Sequence, residues 1–521
     1  MKRLLFACLF AVACVPAPCG GPAPKPSPDA AVEAESASSA PRILSLPRPK
    51  GGEWMGLYML GQKAGWAFTD LREGELGGKK AVVSDTRVVL KASVGGVSIE
   101  REVRDERFYE YKDGGRLLML RQEKHGDGGE EVLVARFAPD GGELTRSKPG
   151  APDEVRKLPP SAETVENADS PRWIAANRQP LHGVTFDLER FLADKKDVTE
   201  IAGEETLTAA GVSVPVLRIK TVEQDSQVPI FTVLAKDGRL LEMQFGEVLI
   251  GKAESEQIAR QLDKVDIFNL TRVVLDKSLP EGIREVPASI VWSVQGLPKD
   301  AKLPGSGRQT LAAGRDGASL LTISSRMPKA SAERPIAPGA DKELAEALKS
   351  TLAVESEAPA IVTAAKKVVG DETSAWAAAR KINLFVNQLL EKTYGSSSDR
   401  ATDVLATRKG DCTEHSLLMT ALLRASGIPA RRVDGLVYVE AGDKVPALYW
   451  HEWVEVYVGE WVQMDPTFNQ VVVDPSHIAL GNEARPDVAA LIGKLKFEPV
   501  EVKMAKPNVP AAAGTARLPG R

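Results

Sequence analysis

Cysteine occurs four times in the 521 residues, and only Cys412 lies beyond residue 19. It sits in Arg408-Lys409-Gly410-Asp411-Cys412-Thr413-Glu414-His415, immediately before an apolar run with helical spacing. His451 comes later, in Tyr449-Trp450-His451-Glu452-Trp453-Val454-Glu455-Val456. Asp465 follows fourteen residues after that, in Trp461-Val462-Gln463-Met464-Asp465-Pro466-Thr467. A lone thiol at a helix start, then an imidazole and a carboxylate on two strands, supplies the parts of a cysteine nucleophile system. A free thiol is mostly protonated at neutral pH. The positive end of the helix and an imidazolium brought in by the fold would both favour the thiolate. Asp465 would then fix the ring tautomer and stabilise its charged form. Gly410 would allow a tight entry turn and close approach of a substrate to the backbone. The competing reading makes Cys412 a small buried hydrophobe at a helix start.

Taken together, these blocks resemble the transglutaminase-like core of the papain-like superfamily. The Gly410–His415 block and its helix, the Trp450–Val456 block and the Trp461–Thr467 block occur in the order and spacing of that family. The linking stretch Arg424-Ala425-Ser426-Gly427-Ile428-Pro429-Ala430-Arg431-Arg432-Val433 matches as well. The resemblance spans roughly residues 373 to 475, about a fifth of the chain. It implies Cys412 as nucleophile, His451 as general base and then acid, and Asp465 as the orienting residue. The reaction it implies is cleavage or exchange of peptide or carboxamide bonds through a thioester. It carries no cofactor and no metal.

Neighbouring residues allow other chemistry. Cys412 and His415 form a Cys-x-x-His pair, and His415, His451 and His477 all lie in this region. A zinc site would need further ligands, and no second Cys is near, so His415 reads as a polar contact on its own helix. Glu414 reads as a counter-charge to the helix dipole. Trp450, Trp453 and Trp461 could wall an acyl-donor slot, although alternate strand positions packing into the core is the simpler expectation.

The elements that must position these groups can be read from period and punctuation. Thr373 to Tyr394 carries Ala375, Ala379, Ile382, Val386 and Leu389 at helical spacing, with Gly395 as the stop. The Cys412 helix should run to Ser426, with Leu418, Ala421, Leu422 and Ala425 as its buried stripe and Gly427 with Pro429 ending it. Asp341 to about Leu352 and Thr402 to Ala406 are further helical candidates. Arg431–Val439, Glu452–Val458 and Trp461–Met464 read as strands. Upstream, short alternating runs separated by Gly61-Gln62, Asp113-Gly114, Asp140-Gly141 and Asp237-Gly238 predict antiparallel hairpins. Glu254 to Leu262 reads as a short helix closing that region.

The fold class expected is α+β, with an N-terminal antiparallel β-rich region before a C-terminal papain-like transglutaminase core. The division expected is a signal peptide at 1–13, a Pro/Ala/Ser-rich tether at 14–50 and a β domain at 51–262. A small β module with its linker should follow at 263–340, then a catalytic domain at 341–500 and a disordered tail at 501–521.

A formal charge of −4, with no basic face, argues against a nucleic-acid partner. Lys2 and Arg3 before the apolar run Leu4–Ala13 fit a secretory signal, too short to span a bilayer as a helix. Cys14 directly after Ala11-Val12-Ala13 resembles a lipoprotein signal, with plain cleavage after Ala13 as the alternative. Localisation would be the bacterial cell envelope, as a periplasmic protein or a lipoprotein anchored through Cys14, or else secreted. A protein or peptide substrate is the expected partner, cell-wall peptides included. A membrane would be met only through the lipid. The rival function is a binding or scaffold protein whose β domain captures a ligand while the C-terminal core is inert.

Overall fold

The computed structural model describes residues 40–504, apart from 95, 127–128, 189–192, 210–211, 224–227, 281–286, 299–300, 305, 330, 395–397, 484–487 and 489–490. The expected signal peptide, Cys14 and most of the tether lie outside these residues. Within them the chain divides into two units, one of residues 40–91 and 100–263, the other of 92–99 and 264–504. It is antiparallel β for the most part, with its longer helices in the C-terminal half.

The first unit is built on one 14-stranded sheet in which nearly every strand pairs with its neighbours in sequence. The exception closes the pattern. Glu53–Met59 pairs with Leu249–Glu254, so the first and last strands meet mid-sheet. Hairpin turns stand where the Gly signals placed them. At the first, Leu60 and Gly61 both take positive φ (46° and 88°), the conformation a two-residue hairpin needs. The hairpin of Ile230–Ala235 with Leu240–Phe245 is present as read. The expected tether up to residue 50 is corrected at its end. Arg42–Ser45 is a short helix, and Ile43 and Leu46 are buried beside Tyr109, Leu117 and Phe186. Two apolar side chains buried in a shared core offset the ordering entropy that the Pro/Ala-rich composition suggested would prevail.

In the second unit, Pro287–Gln295 and Ser319–Ser324 are strands of a four-stranded sheet, as expected. Its fourth member is the end of the described chain. Lys496–Met504 pairs with Pro287–Gln295, so the strand runs past the expected boundary at 500, and Phe497 packs edge-on against buried Trp292.

The helical part centres on the Cys412 helix, Cys412–Ala425. From Thr413 to Arg424 every residue is buried, so the expected one-sided stripe is replaced by burial all round. Leu417, Leu418, Met419, Ala421, Leu422 and Leu423 crowd its later turns, so that beyond the first turn only Ser416, Thr420 and Arg424 are polar. Pro359–Val369 and Ala375–Leu389 pack on it. The first was missed in the sequence, although Ile361, Ala365 and Val369 repeat at four-residue spacing behind Pro359 at the helix start. The Asp341 candidate shrinks to Lys342–Glu346, and the single turn at 402–406 becomes Ala401–Thr407. Gly427, at φ 72°, ends the Cys412 helix, as read. The sheet beside it orders Val273–Val274, Pro446–Tyr457, Ala430–Glu440 and Ile478–Asn482, with Trp461–Met464 also on Pro446–Tyr457.

Candidate active site

The Cys412 helix begins on a complete capping box. The Asp411 carboxylate accepts from the Thr413 N–H at 2.9 Å, and Glu414 Oε2 accepts from the Asp411 N–H at 2.9 Å. This gives Gly410 a different purpose from the one expected. A Cβ there would lie 2.3 Å from Glu414 Cβ, so glycine makes room for the returning Glu414 side chain. His415 is fully buried and contacts the Asp411 carbonyl through Nδ1 at 2.6 Å. Burial pulls its pKa down to about 4, so it stays neutral.

The strand that carries His451 is Pro446–Tyr457. On one edge it pairs throughout with Ala430–Glu440. On the other, Val273–Val274 covers Ala447 and Leu448, and Trp461–Met464 covers Val454–Tyr457. Residues 449–453 between them have no strand partner on that edge among the described residues. The helix fills the gap. Ser416 Oγ, one turn beyond Cys412, donates to the Glu452 carbonyl at 3.0 Å, and the Glu452 backbone N–H bears on the Cys412 thiol. The thiol therefore rests against the residue next to His451.

His451 is buried, and its Nε2 lies 2.7 Å from Asp465 Oδ2. Its ring stacks on Phe468, with centroids 4.9 Å apart. Nε2–H donates to the carboxylate, which leaves the Nδ1 lone pair available, and Nδ1 has no hydrogen bond among the described residues. No direct hydrogen bond joins it to the thiol in this state. Catalytic contacts often tighten only once substrate binds. Gly435 sits opposite His451, where a Cβ would meet the Ile478 carbonyl at 2.0 Å and the Trp453 ring at 2.7 Å.

Asp465 is completely buried and well satisfied. Oδ1 accepts from the Thr467 and Phe468 N–H groups at 2.7 and 3.0 Å, and Oδ2 faces a second imidazole, His477 Nε2, at 3.1 Å. His477 Nδ1 lies 3.4 Å from Asp474 Oδ1. Burial alone would raise the Asp465 pKa, but His451 and then His477 hold it far below the carboxylate range. Burial would lower the His477 pKa, and Asp474 with Asp465 reverses this, favouring an imidazolium between two carboxylates. The row His451, Asp465, His477, Asp474 was not seen in the sequence. Its only signal was Asp474-Pro475-Ser476-His477 following the third block. Arg308 anchors the loop, donating to the carbonyls of Asp474 and His477 at 2.8 and 2.9 Å.

The surroundings of the thiol oppose the expected thiolate. Burial pushes the Cys412 thiol well above its ordinary pKa, and the Asp411, Glu452 and Glu414 carboxyl groups push it the same way. Burial and these neighbours oppose the helix dipole, so the shift runs away from a thiolate. Tyr394, raised by burial and then by Cys412 and Asp411, stands close by. Phe268 spans Tyr394 and Tyr449, with centroids 5.5 and 4.9 Å away. Of these rings Tyr394 is the one that bears on the thiol, while Trp453 stacks on His451 with centroids 5.9 Å apart. Trp453 is a core residue bonded to Gln463, Trp450 donates to the Thr271 carbonyl at 3.0 Å, and Trp461 stacks beneath Arg431. His451, Asp465 and His477 present atoms within 4.8 Å of one another, a spacing a metal could use, but their mutual hydrogen bonds account for it.

A half-buried thiol at a helix start, a buried imidazole on a strand and a buried carboxylate just past another strand make up the candidate site, and a family model matches the stretch that carries them. Residues 362–466 match the model of the transglutaminase-like superfamily, so this stretch is a transglutaminase-like domain. An uncharacterised protein of Bacillus subtilis, YebA, is 44% identical over 72 residues, which are 12% of this chain and 10% of that protein. The chain therefore spans about a tenth of that relative's length. A solved structure from Cytophaga hutchinsonii, described as a candidate cysteine protease, is 15% identical, with a TM-score of 0.27 over 42% of this chain and 88% of that one. A β-barrel-like protein of a domain of unknown function from Brucella abortus is 12% identical, with a TM-score of 0.29 over 39% of this chain and 94% of that one.

Proposed function

We propose that the chain is a thiol-dependent acyl hydrolase or acyltransferase acting on peptide or carboxamide bonds. Cys412 is the nucleophile, His451 the general base and then acid, and Asp465 the residue that orients the ring. The observation that carries this reading is the buried His451–Asp465 hydrogen bond beside the strand gap that receives the thiol.

As the carbonyl arrives, the Sγ proton passes to His451 Nδ1 and sulfur adds to the carbonyl carbon. Collapse expels the amine, which takes the proton from Nδ1 and leaves a thioester on Cys412. Water or a second amine then attacks that thioester. His451 removes the attacking group's proton and returns it to the departing sulfur. Asp465 stays ionised throughout and holds Nε2–H. His477 and Asp474 position Asp465 without touching substrate. The Glu452 N–H is placed to meet developing charge at the sulfur or the oxyanion.

The rival is an inert core, favoured by surroundings that push the thiol pKa up through burial and the Asp411 carboxyl group. A panel of peptide carboxamides separates the two readings, with ammonia release and intact mass as readouts. An enzyme releases ammonia at least tenfold faster than its Cys412→Ser variant and shows an acyl adduct on Cys412. Equal release with no adduct establishes the inert core. An envelope setting, through the N-terminal signal, is part of the same proposal.

A further inference from the structure

The first unit holds a cleft of about 150 Å³, lined by polar groups where the enclosed face of a sheet is normally apolar. Buried charge is costly unless each group is held, and here each is. Arg107 donates to Asp105 at 2.9 Å and to Glu163 at 2.6 Å. Arg172 joins Asp169 and Glu53 at 3.0 and 2.5 Å. Glu223 meets Lys195 at 2.6 Å, Asp70 meets Arg72 at 3.5 Å, and Asp197 accepts from the Thr199 hydroxyl at 3.5 Å. Every carboxylate of the wall thus has a partner within the protein. A charged ligand would either break one of these pairs or be buried without a counter-ion, and both are costly.

Two polar atoms on the wall are left over. Thr232 has no exposed surface, and its Oγ1 has no partner among the described residues. Arg48 Nη1 is likewise buried and unpartnered among them, although the rest of that guanidinium is used. Its Nε donates to the Leu46 carbonyl at 3.4 Å, and Nη2 lies 3.4 Å from Asp169. Nη1 requires an acceptor, and a hydroxyl can donate or accept. More hydroxyls line the cleft, from Thr69, Ser84, Thr86 and Tyr109. Met243, opposite Thr232 in the sheet, and Leu240 give it an apolar side. A space of about 150 Å³ admits a six-membered ring.

We infer that this cleft binds a small neutral polyhydroxy compound the size of one sugar ring. One of its hydroxyl oxygens accepts from Arg48 Nη1, another bonds to Thr232 Oγ1, and its carbon face lies along Met243 and Leu240. The site goes beyond the thiol chemistry, and its test reads binding rather than activity.

Calorimetric titration of the full chain with glucose, galactose and myo-inositol tests it, with glutamate and lysinamide as charged controls. At least one of the three neutral compounds should bind saturably, and neither charged compound should. Thr232→Val keeps the shape of the side chain and should weaken that binding at least tenfold. Its melting temperature should be unchanged or higher, because the lost hydroxyl had no partner within the protein. Thr232→Ser, which keeps the hydroxyl, should retain the binding. Absence of saturable heat from all three neutral compounds overturns the proposal. So does a charged compound binding as tightly, or a Thr232→Val variant with wild-type affinity.

Discussion

The two ends of the Cys412 helix both face buried charge, and they handle it differently. At the C-terminal end, Arg424 pairs with Glu483. Arg432 reaches Glu483 at 3.2 Å and Glu452 at 3.6 Å, and Arg431 reaches Glu455 at 2.6 Å. Guanidinium keeps its charge at any ordinary pH, so these pairs are fixed. At the N-terminal end the carboxylates face imidazoles instead, in the row His451, Asp465, His477, Asp474. One cluster pairs its carboxylates with guanidinium groups, and the other pairs them with imidazoles. Position along one helix therefore says little about function. The choice of guanidinium or imidazole opposite the carboxylate says much more.

Substitutions should divide along that line. Asp465→Asn should lower kcat by about 10³–10⁴-fold, because the amide no longer holds the reactive tautomer of His451. Steady-state kinetics on a responsive carboxamide, with an unchanged circular dichroism spectrum, checks it. Arg424→Met should cost about 3–5 kcal/mol by leaving Glu483 short of a buried partner, with kcat per folded molecule unchanged. Denaturant unfolding followed at the second unit reads this. If kcat fell in parallel, the two ends would not be separable.

His477→Gln is expected to cost about 10–100-fold in kcat and to move the pH profile, since Asp465 would lose its second imidazole. A purely structural role would leave the profile in place. The pH dependence of stability has two sides. Asp465 is held below its unfolded pKa, so its contribution is present above about pH 4 and fades as pH falls. His477 is held above its unfolded value, so its contribution is complete below about pH 6.5 and is lost as pH rises through the folded pKa. His477→Gln should remove the alkaline-side loss and keep the acid-side one. The smallest effect belongs to Gly410→Ala, which crowds Glu414 and should cost about 1 kcal/mol of helix capping.

The sequence was most informative where chemistry is local in the chain. The lone thiol at a helix start, the Gly427 stop and the hairpin glycines each owe their identity to a few neighbouring residues, and all stand where read, whereas the Asp411 cap was overlooked although it is equally local. The Cys412, His451 and Asp465 blocks were legible because each is a short pattern. The state of the thiol was not. It depends first on burial, then on Asp411, with Glu452 brought in from another element, and the burial is set by the fold rather than by the helix start. His477, Arg308 and Phe268 were missed for the same reason, since their partners are set by sheet order. The start of the first unit was misread because composition overruled two buried apolar residues, Ile43 and Leu46.

Alkylation of Cys412 by iodoacetamide at neutral pH, followed by intact mass in native wild type and in His451→Ala, bears most directly on the thiol–imidazole pair. If the ring removes the sulfur's proton, wild type should be modified at least tenfold faster than the variant. Equal rates in the two proteins, both still folded, would contradict the pairing.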